Sequence, residues 1–449
     1  MNKCGMNDGI SMRSVKCTIK SLLNSNRQVI KNDEEYVNRA ANQQISLELF
    51  TELKSSMQYI GVTDNFKEVI DSFRVPEGET PAGFRTEVFI DNDGVVKLDL
   101  ARDISYDKNG IKRPTNVLFS ADSANPYEVA PIKDMIANLT CNPGIIYDLF
   151  INNPKANVGN KFKNRDEVMA EIGRILGPGV DISVELNDPF NASEQQILEE
   201  AAKFKEMLSK YRVVIKVPHT GPVNADNVSE LLNGDKKFQR RYNEGATGDF
   251  VRGHNLALLL HENGYRVNFT LMFEPYQTAL ALQAKPYFIN TFLRHRNAQS
   301  YRIKSLLNAY KTGADDIFLK QLRSYMLDMD YLSARETDID LNKVRETAEL
   351  LLDYRNIDSD EGRDGLDAAR HSLRVLRQSN LPESKLIICS MEGPRNYPDI
   401  DKMLLEDEFK DMAGRVIITT EPAYLVQFTS CNQVVSYQRR FMNAANGQS

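Results

Sequence analysis

The chain has 449 residues, 41% of them hydrophobic, enough for one large core or for one large domain with appendages. A net charge of −6 and a pI near 5.6 provide no overall cationic field, which argues against a nucleic-acid binder. No apolar run reaches membrane-spanning length, and the five scattered cysteines (Cys4, Cys17, Cys141, Cys389, Cys431) lack metal-ligand spacing, so a soluble cytoplasmic protein with free thiols and no structural zinc is expected.

Residues 1–110 read as an N-terminal extension. Its first thirty residues are mildly basic and Ser/Asn-rich but have no apolar core of a secretory signal, so a disordered start is expected. Further on, 86-TEVFIDNDGVVKLDL-100 reads as a hairpin turning at Asn92-Asp93-Gly94. From about residue 116, short β-rich runs alternate with amphipathic helical stretches such as 194–211 and 249–263, the pattern of a parallel α/β protein. The strand runs are 116–122, 135–141, 181–187, 211–218, 265–273, 287–292, 385–391 and 415–421. Eight such units predict a TIM (β/α)8 barrel over 111–449. A long helical insertion, about 300–380, separates the sixth and seventh strands; its charged runs 333–356 and 359–378 read as solvated amphipathic helices. The segment 239-QRRYNEGATGDFVRG-253 has no phosphate-loop spacing and reads as a loop.

In such a barrel, chemistry belongs to inward-pointing residues at the C-terminal ends of strands. The fourth run, 211-YRVVIKVP-218, carries Lys216 among β-branched apolar residues. Burying an unpaired ammonium is costly, and the expected relief is a lowered pKa, which makes the amine a nucleophile. The bland alternative is a lysine at a strand edge with its head in solvent. Neighbouring strands end on Asp122, on Thr140-Cys141-Asn142, on Glu185, and on Asn268 and Thr270, which share one face. A lysine among carboxylates, amides and hydroxyls is equipped for Schiff-base chemistry: the amine attacks a carbonyl, a carboxylate moves protons, and small polar groups hold hydroxyls. The residues alone also allow a buried ion-pair network of Lys216, Asp122 and Glu185 that only sets register.

Taken in order, 118-LFSADSANPYEV-129, 139-LTCNPGII-146, 183-SVEL-186, 214-VIKVPHT-220 and 267-VNFTLMFEPYQTALALQA-284 resemble the successive motifs of the transaldolase family, to which the fructose-6-phosphate aldolases are related. The resemblance covers roughly residues 116–425. It implies Lys216 as the imine-forming amine, Asp122 as the acid/base at the breaking carbon–carbon bond, and Glu185 with Thr270 as holders of a relay water. Asn142, Asn268, Asn290, Phe292 and Ser390 are then expected to bind substrate, and no metal or cofactor is needed. The family's phosphate-gripping arginines are replaced in register by His295 and Glu392, so the expected phosphate groups are the neighbouring Arg294, Arg296 and Arg395. Glu185 and Phe292 take the transaldolase form, where the aldolases carry glutamine and tyrosine.

The implied activity is transfer of a dihydroxyacetone unit from a ketose phosphate to an aldose phosphate, as in the pentose phosphate pathway. The expected partners are small sugar phosphates, with no nucleic acid or membrane, in a homo-oligomer. One alternative is a fructose-6-phosphate aldolase-like lyase on a less phosphorylated substrate. The other is a non-catalytic barrel serving binding or assembly. His219 reads as a loop residue after the lysine strand, and Cys141 and Cys389 as small fillers.

Overall fold

In the computed structural model the described residues are 17–25, 27–56, 58–73, 84–102, 104–107, 111–177, 179–209, 211–389, 393–420 and 429–448. The chain forms two compact units, Met1–Ile111 and Lys112–Ser449.

The first unit is a small α/β fold with a core of its own, more than the extension read from sequence. A sheet of four strands runs in the order Gln28–Val29, Tyr59–Val62, Val96–Arg102, Phe84–Ile90. Its apolar face, with Ile60, Val62, Val96 and Leu98, closes against Ile19, Leu22, Val37 and Phe66. The hairpin forms where it was predicted. Asp91 Oδ1 accepts from the amides of Asp93 and Val95, and Gly94 takes the left-handed φ of 77° that such a turn requires. The expectation of a disordered start falls on residues 1–16, outside the described residues.

The second unit is a closed barrel of eight parallel strands: β1 Leu118–Asp122, β2 Ile136–Thr140, β3 Asp181–Glu185, β4 Arg212–Pro218, β5 Val267–Met272, β6 Phe288–Phe292, β7 Lys385–Cys389 and β8 Val416–Thr420. The predicted TIM barrel is the observed fold. The strands are short, and most are rich in β-branched or aromatic residues, as strands covered on both faces require. Alternate residues (Ala121, Leu139, Val184, Ile215, Val217, Phe269, Ile289, Ile388, Ile418) join the apolar core shared with the surrounding helices. The intervening residues therefore point into the barrel. Some of those helices start on side-chain caps, such as Asn164 for Arg165–Leu176 and the capping box of Ser193 with Gln196 for Glu194–Met207.

After β6 come helices α1 Arg294–Gly313, α2 Asp316–Asp328, α3 Leu341–Arg355 and α4 Asp367–Gln378. Helices α1–α3 share a separate core of Ile303, Leu306, Leu319, Leu322, Val344 and their neighbours. Helix α4 corrects the sequence reading. It is not a solvated face of the insertion: Ala369, Leu373 and Leu376 belong to the barrel core, so α4 is a member of the barrel's helical ring. The charged run that suggested solvation includes arginines set beside that apolar face, and Arg370 is itself buried. Arg370 pairs with Asp364 and Glu406, and Arg374 with Glu361 and Glu408. No helix among the described residues is long and apolar enough to cross a membrane.

Candidate active site

TIM barrels usually fill their interior with layers of branched apolar side chains, four per layer from alternate strands. This interior is polar. In an eight-stranded barrel with a shear of eight, a level layer advances about two residues for every two strands. The ladder pairs Thr140–Ser183–Val214, Lys216–Asn268–Phe288, Asn290–Ile387–Ile417 and Thr419–Ser120–Asn138 then place Thr140, Lys216, Asn290 and Thr419 in one layer. The same stepping puts Asp122, Glu185, Thr270 and Cys389 in the layer above, at the C-terminal ends of their strands. Ser120, Ser183, Asn268 and Ile387 form the layer below.

Side-chain contacts follow these layers. Lys216 is 4% exposed, and its Nζ lies 3.0 Å from Glu185 Oε2 and 3.5 Å from the carbonyl oxygen of Cys141. Below it, Asn138 donates to Ser120 Oγ at 2.8 Å, Ser183 donates to Asn138 Oδ1 at 3.3 Å, and Asn268 donates to Ser183 Oγ at 3.0 Å. Above, Asn290 Nδ2 donates to Thr270 Oγ1 at 3.2 Å. Ser120, Asn138 and Ser183 were not among the predicted site residues. Their signal was present, since a polar residue at every second position of three adjacent strands is not what an apolar barrel core would carry.

The electrostatics correct the expectation of a neutral lysine. Burial does push the Lys216 pKa down, but the charges of Glu185 and Asp122 and the Glu185 hydrogen bond outweigh it, and the net shift is upward. The resting amine is an ammonium held between two carboxylates. It becomes a nucleophile only by handing a proton over, and Glu185 is in contact to take it. Cys141 and Cys389 are inert by comparison. Burial pushes the Cys141 thiol up to about 12 and shifts Cys389 upward too, with Cys389 Sγ against the Thr291 carbonyl at 3.2 Å.

Other predicted residues sit as follows. Asn142 Oδ1 accepts from the Ile145 amide at 2.9 Å, capping the π-helical turn Ile145–Ile151. Phe292 packs on Phe273 with ring centroids 5.0 Å apart. After Thr270 the strand carries a bulge, and Leu271 takes φ 66°, a strained conformation for a leucine. Gln277 braces that turn by accepting from the amides of Phe273 and Glu274. His219 faces away from the barrel axis and stacks on Phe269 at 4.3 Å; burial lowers its pKa to about 4.

The arginines divide. Arg296 is 3% exposed, with Nε on Glu274 at 2.9 Å and both terminal nitrogens on Asp367 at 2.7 and 2.9 Å. Arg355 also forks onto Glu274. A phosphate would have to displace two partly buried carboxylates to reach Arg296, so its expected role as a phosphate group gives way to a structural one. Arg294 is half-buried at the start of α1. Ser390 and Glu392 lie outside the described residues, as does the side chain of Arg395. Helices α1–α3 are tied to the loops after β4 and β5, through the Glu274 network, the Arg241–Glu336 pair at 2.6 Å and the Lys237–Asp328 pair at 2.8 Å. The insertion is thus a braced wall beside the strand ends.

Residues 119–316 match the model of the transaldolase/fructose-6-phosphate aldolase family. The matched part of the barrel is similar to that family, over a little under half of the chain. It runs from β1 through β6 and α1, and includes every strand from which Asp122, Glu185, Lys216, Asn268 and Thr270 project. An enzyme of the transaldolase/aldolase type follows from the match. No curated protein matches the chain.

Proposed function

We propose that the barrel transfers a dihydroxyacetone unit from a ketose phosphate to an aldose phosphate through an imine on Lys216. The observation that carries this reading is the buried contact between Lys216 Nζ and Glu185, at the C-terminal end of two adjacent strands, with Asp122 one layer above the lysine. Glu185 takes the ammonium proton when the donor arrives, and the free amine adds to the donor's C2 carbonyl. Loss of water gives the imine, with Glu185 and Thr270 handling that water. Asp122 accepts the C4 hydroxyl proton as the C3–C4 bond breaks, the electron pair flowing into the iminium to leave an enamine. The aldose product departs, the enamine adds to the aldehyde of the acceptor, and hydrolysis returns the amine. Transfer requires that the enamine wait for the acceptor without being protonated. The Phe292 and Phe273 rings offer it a wall with no acidic hydrogen.

A second reading has support of its own. With Arg296 committed to Glu274 and Asp367, the site holds fewer cations for phosphate, which favours an aldolase-type lyase on a less phosphorylated substrate. Borohydride trapping separates the two. Protein is incubated with fructose 6-phosphate, or with dihydroxyacetone, then reduced and mapped by mass spectrometry. An adduct on Lys216 from the phosphorylated ketose is the expected result. An adduct from dihydroxyacetone alone moves the assignment to the lyase, and an unmodified Lys216 with both donors sinks the Schiff-base reading.

A further inference from the structure

Lys216 shares its layer with Thr140, Asn290 and Thr419, and all three present a buried polar atom that finds no hydrogen-bond partner among the described residues: Thr140 Oγ1, Asn290 Oδ1 and Thr419 Oγ1. A fourth, Asn268 Oδ1, lies in the layer directly below. Just below, the buried side chains of Ser120, Asn138 and Ser183 bond to one another. Unpaired buried hydroxyls and amides carry a standing desolvation cost, and native interiors keep them rare. Four around one lysine is a concentration that packing does not explain, since valine would fill either threonine position without leaving a hydroxyl unmatched.

Thr419 is the informative member. It stands on β8, is 3% exposed, and pairs in the ladder with Ser120, whose hydroxyl is already taken by Asn138. Neither the residue motifs nor the family match, which ends at residue 316, reaches it. We propose that Thr419 is a substrate-binding residue: its hydroxyl bonds the hydroxymethyl group attached to the imine carbon, on the side of the donor that does not react. Asn290 Oδ1 and Thr140 Oγ1 complete the cup. Lys216 is level with this layer while the acid/base groups stand one layer higher. A donor joined to Nζ therefore directs its reacting carbon upward to Asp122 and its unreactive hydroxymethyl inward to Thr419. The assignment of Thr419 rests on the Schiff-base reading above.

The test is Thr419→Val, which removes only the hydroxyl, beside Thr419→Ser, which keeps it. Dihydroxyacetone and hydroxyacetone, whose methyl replaces the hydroxymethyl, are compared as donors by the concentration dependence of borohydride trapping on Lys216. The expected result for Thr419→Val has two parts of opposite sign. Half-saturation by dihydroxyacetone rises about three- to tenfold while that by hydroxyacetone is unchanged, and Tm rises because an unpaired buried hydroxyl is gone. Thr419→Ser keeps the dihydroxyacetone value. An unchanged dihydroxyacetone response in Thr419→Val, with normal trapping in the wild type, overturns the assignment, whether Tm rises (the hydroxyl held only water) or falls (it was structural). Failure of trapping in the wild type overturns the Schiff-base reading and this inference with it.

Discussion

The two ends of the barrel each bury a cation against a carboxylate, and they do so differently. At the N-terminal end, Arg212 of β4 and Asp181 of β3 are both fully buried, Nε to Oδ1 at 3.1 Å, with the Arg212 fork reaching Tyr287 Oη at 3.3 Å. At the C-terminal end of the same two strands, Lys216 meets Glu185 at 3.0 Å. Arginine cannot surrender its proton in a protein, so the first pair is fixed structure; a lysine can, and its neighbours leave several polar atoms unmatched. The difference shows how one pair of strands supports both a rigid floor and a reactive mouth. Where the proton is immobile the pair is fixed structure; where it can move, several unmatched polar atoms stand around the lysine.

Exchanging the cations breaks the comparison most sharply. Lys216→Met is expected to abolish adduct formation and lower turnover by about a thousandfold or more, because the covalent step loses its nucleophile. Its Tm should move little, since Glu185 and Asp122 stand partly open at the strand ends. Arg212→Met is expected to do the reverse: it strands a buried Asp181 and costs about 3–5 kcal/mol, seen in denaturant unfolding, with turnover per folded molecule unchanged. If both variants lose activity and stability together, the division between floor and mouth is wrong.

Glu185→Gln sharpens the mouth alone. Turnover should drop about a hundredfold as the proton acceptor is lost. The direction of the pH response is the finer test. Glu185 raises the Lys216 pKa, so its removal lowers it, and the rising limb of trapping rate against pH should move to lower pH. A limb that stays in place would show that Glu185 does not set the lysine's protonation.

Part of this was legible in the sequence. The barrel was, because most strands are short β-rich runs alternating with amphipathic helical stretches, and Lys216, Asp122, Glu185 and Thr270 stood out as polar residues at strand ends. What the linear pattern could not supply was level. Thr419 and Lys216 are about two hundred residues apart and become neighbours in one layer only through the register of a closed barrel. The lysine's charge state was misread for a related reason. Local burial argues for a low pKa, and the carboxylates that reverse it come from other strands. Arg296 carried no sign of its engagement, because Asp367 lies on α4, seventy-one positions away.

Outside both ends, His219 offers a stability test. Burial holds its pKa at about 4 against 6.5 in an unfolded chain, so the fold keeps it neutral while the unfolded state takes up a proton below pH 6.5. Stability from this group is present above pH 6.5 and is lost as pH falls toward 4, by about 3 kcal/mol at most. His219→Phe, which preserves the stack on Phe269, should flatten that part of the unfolding profile without changing turnover at neutral pH. An unaltered profile would mean that other groups carry the acid sensitivity.

The smallest effect concerns phosphate. Arg296 is tied into the wall by Glu274 and Asp367; its neighbour Arg294 is half-buried at the start of α1, just after β6. The proposed role of Arg294 is to meet the phosphate of an acceptor that enters from the C-terminal face. Arg294→Ala is therefore expected to raise KM for a phosphorylated aldose up to about tenfold, with kcat nearly unchanged and no loss for an unphosphorylated aldehyde. Because uniform binding of a distal group is lost equally from ground and transition states, KM is where the change belongs. Equal KM shifts for both acceptors would place Arg294 in the wall with Arg296, leave the site without a phosphate cation from this segment, and favour the lyase over the transferase.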